Sequence, residues 1–211
     1  MNNLKYVGTR NKDITATASQ AILKGICDDG GLFIPESIPK IDKSLEELSK
    51  LDYKGLAYEI LKLYLTDFTE EELKYCINGA YDSKFDTPAI APVVKKGDVS
   101  VLELFHGRTI AFKDMALSIL PYLMKTAAKK NGIDKEIVIL TATSGDTGKA
   151  ALEGFAGVDG IRIIVFFPED GVSPVQKLQM VTQDGSNTCV VGIKGNFDDA
   201  QTAVKTIFSD E

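Results

Sequence analysis

The sequence predicts an α/β protein: a small, mostly helical N-terminal domain over residues 1–87, then a Rossmann-like open parallel sheet with flanking helices over 88–211. Three observations predict it. Apolar residues recur at helical spacing up to Pro88 and Pro92. Beyond Pro92, apolar strand-like runs alternate with helical patterns. Those runs are continuous stretches of Ile and Val, which suit strands covered on both faces and joined by right-handed βαβ crossovers.

In the first part, Gly30 and Gly31 with Pro35 and Pro39 mark turns and an extended segment. Leu45 to Leu51 reads as a short helix, with Ser44 as N-cap and Glu47 at the capping-box position. Leu56, Ile60, Leu61, Leu63 and Leu65 give a second helix with a broad apolar face. Thr69 followed by Glu72 is another capping box, opening a helix toward Tyr81. In the second part, Ser100 to Phe105 is a strand candidate, and Lys113 to Lys130 is helical, with Pro121 expected to kink or break it. Strands are expected at Glu136–Thr141, Ile161–Phe167 and Thr188–Ile193. The helices between and after them are Thr147–Phe155, Ser173-capped Pro174 through Met180, and Asp198–Phe208. The last helical pattern still runs at 208–211 without a Gly or Pro stop, on its own a weak sign of truncation.

Composition narrows the function. The apolar fraction of 44% and charged fraction of 26% are those of an ordinary globular protein. A net charge of −6 with interspersed lysines and acids argues against nucleic acid as a partner. No apolar run approaches the ~20 residues needed to span a bilayer, so no membrane role is expected. Residues 1–10 contain no secretory apolar core. Cys27, Cys76 and Cys189 are scattered and odd in number. They are read as plain buried apolar residues of a cytoplasmic protein, with neither disulfides nor a metal.

Two stretches carry chemistry. The first is LFHGRTIAFKDM, Leu104 to Met115. It places Lys113 after a strand and a Gly107 turn, at the start of a helix. The helix dipole there disfavours a cation, and Ile110, Ala111, Phe112 and Met115 surround the lysine. Both effects are expected to favour the neutral amine that a Schiff-base lysine needs. A lysine snorkelling from an apolar turn is the plain alternative and stays open. The second stretch is TATSGDTGKA, Thr141 to Ala150, between a buried strand and a helix. Gly145 and Gly148 allow close backbone approach, and Thr143, Ser144 and Thr147 offer hydroxyls to an anion at the helix start. A nucleotide P-loop would need Gly at position 143 and Ser or Thr at position 150, where Thr143 and Ala150 stand. The Rossmann glycine pattern fails as well. A carboxylate or small phosphate remains as the ligand, against a capped strand–helix turn with no ligand.

Together these stretches resemble the threonine synthase family of the bacterial and fungal type, which writes them close to LFHGPTxAFKD and TATSGDTGKAA. The resemblance covers essentially the whole chain. YVGTR from Tyr6, AILKG from Ala21, DGGLFIP from Asp29, GVSP from Gly171 and GNFDDAQ from Gly195 also match. Arg108 departs from it, standing where Pro is common.

The resemblance implies a fold-type-II enzyme that uses pyridoxal 5′-phosphate (PLP) and converts O-phospho-L-homoserine and water to L-threonine and phosphate. It makes Lys113 the catalytic lysine that carries the cofactor and moves protons. It assigns Thr143, Ser144, Gly145, Asp146 and Thr147 to the loop facing the substrate α-carboxylate and the cofactor ring. His106 and Asp114 would flank the site, His106 as a second acid/base or as a structural histidine. Lys149 would meet a substrate phosphate or face solvent. The family's glycine-rich grip on the cofactor phosphate is expected further along the chain. In GNFD from Gly195, Asp198 takes the place of the second glycine and would repel a phosphate dianion. The chain is therefore expected to be the N-terminal portion of such an enzyme, inactive alone. A folded non-catalytic fragment and a related PLP phospho-lyase are the alternatives. Oligomeric state is not legible in the sequence.

Overall fold

The computed structural model describes residues 3–209; the expectation for 210 and 211 lies outside them. In chain order the first elements are β1 (Tyr6–Gly8), β2 (Thr15–Ala16), α1 (Ala18–Lys24), β3 (Phe33–Pro35), α2 (Leu45–Leu48), α3 (Tyr53–Tyr64) and α4 (Glu70–Ala80). Then come β4 (Val93–Lys96), β5 (Val99–Leu102), α5 (Asp114–Leu117), α6 (Leu120–Lys130), β6 (Ile137–Ala142), α7 (Asp146–Phe155), β7 (Ile161–Pro168), α8 (Pro174–Val181), β8 (Thr188–Ile193) and α9 (Phe197–Ser209). They form two compact units. One is the chain up to Pro92 with Tyr122–Asp134; the other is Val93–Pro121 with the chain from Lys135 onward.

The first unit holds the expected helices. Ser44 and Glu47 close a capping box on α2, and Thr69 and Glu72 close one on α4. Leu73, Cys76, Ile77 and Ala80 of α4 are buried, as are Leu123, Met124, Ala127 and Ala128 of α6. Cys76 Sγ lies 3.4 Å from Thr126 Oγ1. Lys130 Nζ donates to Glu72 Oε2 at 2.9 Å. Burial holds this face: each large apolar side chain removed from water contributes about 1.5–3 kcal/mol. The sequence reading missed a small antiparallel sheet in the order β2-β1-β3. Its strands are two or three residues long, too short to show an alternation.

In the second unit, β6-β7-β8 form a three-stranded parallel sheet, with Ile137 beside Ile161 and Ile163 beside Thr188. The α/β expectation holds, with α7 and α8 as the crossovers. Ile161, Ile163, Val165 and Phe167 are buried along β7. Against them stand Ala150, Ala151, Leu152 and Phe155 of α7, with Met180 of α8 and Ala200 and Val204 of α9 buried as well.

Two expectations change. The strand placed at Ser100–Phe105 is shorter, Val99–Leu102, and pairs antiparallel with β4 in a two-stranded sheet of its own. Gly97 and Asp98 make a two-residue turn with Gly97 at φ 60°, and so short a link joins only antiparallel strands. The stretch Lys113–Lys130 is broken near Pro121, as expected, into α5 and α6, with Pro121 in the first turn of α6, where its missing N–H costs nothing. Cys189 is exposed on β8, whereas Cys27 and Cys76 are buried; all three thiols are free.

Candidate active site

The residues singled out for chemistry all lie in the second unit. The turn before α5 is built around Asp114, the first residue of that helix. Its carboxylate is buried and accepts from the Thr109 N–H at 2.8 Å and from the Thr109 hydroxyl at 2.6 Å. Gly107 is required beneath it, because a Cβ there would run into the Asp114 side chain. Ile110 donates its N–H to the Gly107 carbonyl at 3.1 Å and sits at φ 64°. A β-branched residue rarely adopts this left-handed region, and strain of that kind costs about 1–3 kcal/mol. The turn thus delivers Lys113 to the start of α5, as the sequence suggested. Its side chain is half-buried, and Nζ lies 4.0 Å from the centroid of the Phe112 ring.

The second stretch is held by Thr143, which is 2% exposed. Its hydroxyl oxygen accepts from the N–H of Gly145 at 3.0 Å and from that of Gly148 at 2.9 Å. The Thr143 side chain therefore faces into the loop. Gly145, at φ 138°, lies against the Gln176 amide, where a Cβ would have no room. A Cβ on Gly148 would press on Thr143 and Val165. Asp146 begins α7 and is exposed; its Oδ1 accepts from Gln176 Nε2 at 2.9 Å. The Gln176 oxygen in turn accepts from the Ser173 N–H at 3.1 Å. The N–H groups of Ser144, Asp146 and Thr147 make no hydrogen bond among the described residues, and the Ser144 and Thr147 side chains are exposed. Free donors at the head of a ten-residue helix make a seat for an anion.

α5 packs on α7, with the Leu117 carbonyl so close to Gly154 that a side chain there has no space. Arg108, in the first stretch, donates to Glu153 of α7 at 2.9 Å. Burial raises the Glu153 carboxyl. Hydrogen bonds from Arg108 and Gln183 and the charge of Lys149 outweigh that and hold it below the usual range. Lys149 is only 16% exposed in its side chain; it hydrogen-bonds the Gln183 side-chain oxygen and lies 3.6 Å from Glu153. The structure thus ties Lys149 to the α7 surface rather than pointing it into solvent. His106 Nε2 lies 3.0 Å from Glu103 Oε2, and its ring stacks on Phe105.

At Gly195 the chain enters α9. Asn196 Oδ1 accepts from the N–H groups of Asp198 and Asp199, and Asp199 Oδ2 accepts from that of Asn196. Three of the N–H groups that a phosphate could use there are already taken. Thr109, Glu153, Gln176 and Gln183 were missed by the sequence reading. Only Gln176 carried a local signal, as the fourth residue of the S-P-V-Q capping box on α8.

Comparison with known proteins fits this geometry. The family model described as threonine synthase N terminus matches residues 5–81. The threonine synthase of Schizosaccharomyces pombe is 37% identical over 98% of this chain and 42% of its own length. A crystal structure of PLP-bound threonine synthase from Brucella melitensis superposes with a TM-score of 0.86 at 37% identity, over 98% of this chain and 45% of that one. The yeast threonine synthase structure gives a TM-score of 0.89 at 35% identity, over 99% and 44%. The chain thus spans less than half the length of the relatives it matches. Over nearly its whole length the chain is similar to the N-terminal portion of threonine synthases.

Proposed function

We propose that this chain supplies the lysine and the carboxylate seat of a threonine synthase site, which turns O-phospho-L-homoserine and water into L-threonine and phosphate with PLP. One observation carries the reading: a lysine at the head of α5 and three uncommitted N–H donors at the head of α7 lie on two helices packed together. When bound, PLP supplies an electron sink for charge developing on the substrate carbons. Lys113 would hold the cofactor and would move protons at Nζ. The N–H groups of Ser144, Asp146 and Thr147, with the Ser144 and Thr147 hydroxyls, orient the substrate carboxylate beside the cofactor ring. Gly145 lets the backbone come close, and Thr143 acts by shaping the loop. Asp114 positions Lys113 through Thr109, and His106 with Glu103 borders the site. The residues fit PLP in part: an amine and an anion seat are present, and the Gly195–Asp199 segment is not a phosphate cradle.

The work divides at 87/88 in the sequence, the first part being the N-terminal domain of the family and the second the start of its catalytic domain. The family match over residues 5–81 supports that division. Among the described residues, no helix is long and apolar enough to cross a membrane, and no cluster of His, Cys, Asp and Glu could hold a metal ion. We place the protein in the cytoplasm, which suits three free thiols.

The test is borohydride trapping of the purified chain with added PLP, followed by peptide mass mapping. The expected result is a pyridoxyl adduct concentrated on Lys113 and lost in Lys113→Ala. Labelling scattered evenly over the lysines would overturn the assignment of Lys113. Robust release of threonine and phosphate by this chain alone would overturn its assignment as a partial site.

A further inference from the structure

The Lys113 ammonium has no ion pair and no hydrogen bond among the described residues. Asp114, its neighbour, has both carboxylate oxygens turned to Thr109. What Lys113 has is the face of Phe112. At 4.0 Å this is the shortest ammonium–ring distance among the described residues, the others lying between 5.4 and 5.9 Å. Phe112 is 60% exposed, so burial in the core does not explain its place. Ile110, two residues earlier, is 71% exposed and held in the left-handed region. The turn therefore carries backbone strain and leaves two apolar side chains bare within three residues of the lysine.

We infer that Phe112 is a positioning residue: its ring holds Lys113 as a parked ammonium and so sets how readily that amine attacks an electrophile. An aromatic face attracts a cation and does nothing comparable for a neutral amine. To react, the ammonium must release a proton to solvent and leave the ring; its lone pair then attacks. The ring therefore slows the first attack and fixes where the amine starts from. The biological consequence rests on the reading of Lys113 as the cofactor lysine. The physical claim does not.

The test is acetylation of the purified chain by trace acetic anhydride at fixed pH, read by peptide mass mapping with Lys95 as internal reference. In this reaction the amine sheds its proton, takes the acetyl group and releases acetate, and no cofactor takes part. Phe112→Leu is expected to speed Lys113 labelling about two- to fivefold, the reach of an exposed cation–π contact. Phe112→Trp, with the stronger ring, slows it, and Phe112→Tyr stays near wild type. Equal rates in all four proteins, or Leu and Trp moving the same way, would overturn the inference. Borohydride trapping with PLP on the same proteins separates the two readings. An acetylation order as expected with no Lys113 adduct defeats the cofactor reading alone. A Lys113 adduct with equal acetylation rates defeats the inference alone.

Discussion

The turn before α5 and the turn before α7 solve the same problem in opposite ways. Each must stop an irregular segment and start a helix. Before α5 the organising group is an anion: Asp114 is the first helical residue, and its carboxylate gathers the N–H and hydroxyl of Thr109. The helix start is thereby neutralised, and a lysine can stand beside it. Before α7 the organiser is neutral. The Thr143 oxygen takes the N–H groups of Gly145 and Gly148 and leaves those of Ser144, Asp146 and Thr147 open. An internal carboxylate suits a turn that displays a cation; a hydroxyl suits a turn whose positive end stays open.

The largest expected effect breaks the neutral organiser. Thr143→Val keeps the shape and removes the acceptor of two buried N–H groups, each costing about 1–3 kcal/mol when orphaned. A loss of about 3 kcal/mol is expected from the urea midpoint, with Thr143→Ser recovering most of it. An unchanged midpoint would show that the two N–H groups find other partners. Next, Asp114→Asn halves the charged organiser, keeping one good acceptor. A loss of about 1–2 kcal/mol is expected by the same measurement, along with slower pyridoxyl trapping on Lys113.

The smallest effect tests the tie between the two turns, Glu153. Its carboxyl is held below the usual range in the folded chain, so its contribution is full above the unfolded value, about 4.3, and is lost as pH falls through the folded one. Arg108 is largely solvated, which keeps the pair weak. Glu153→Gln is expected to cost about 0.5 kcal/mol near neutral pH and to flatten the acid limb of a stability–pH curve. An unaltered acid limb would remove Glu153 from the account.

How much could be read from the chain alone depends on range. Capping boxes at Ser44 and Thr69 and the long Ile/Val runs are local signals, and they became α2, α4 and the parallel sheet. Lys113 and the Thr143–Thr147 loop stood out as candidates because a lysine is out of place at a helix start and because glycines and hydroxyls gather in the turn before one. The short strands β1 to β3 were not, since pairing across long separations creates them. Nor could periodicity show that Ser100–Phe105 would turn back on β4. The inward turn of Thr143, the grip of Asp114 on Thr109 and the tying of Lys149 to Glu153 and Gln183 are three-dimensional choices. Sequence names the candidate atoms in each case without saying which donor they will meet.

The first unit is stitched from two stretches, with Tyr122–Asp134 arriving 30 residues after Pro92. During synthesis the first stretch leaves the ribosome before its own last helix exists. At about 5–20 residues per second, that wait lasts a few seconds. Until α6 arrives, the α4 face carrying Cys76 lacks Thr126, and Glu72 lacks Lys130. A protease or a chaperone would meet that face bare. The order in which the chain is made thus separates two halves of one core in time.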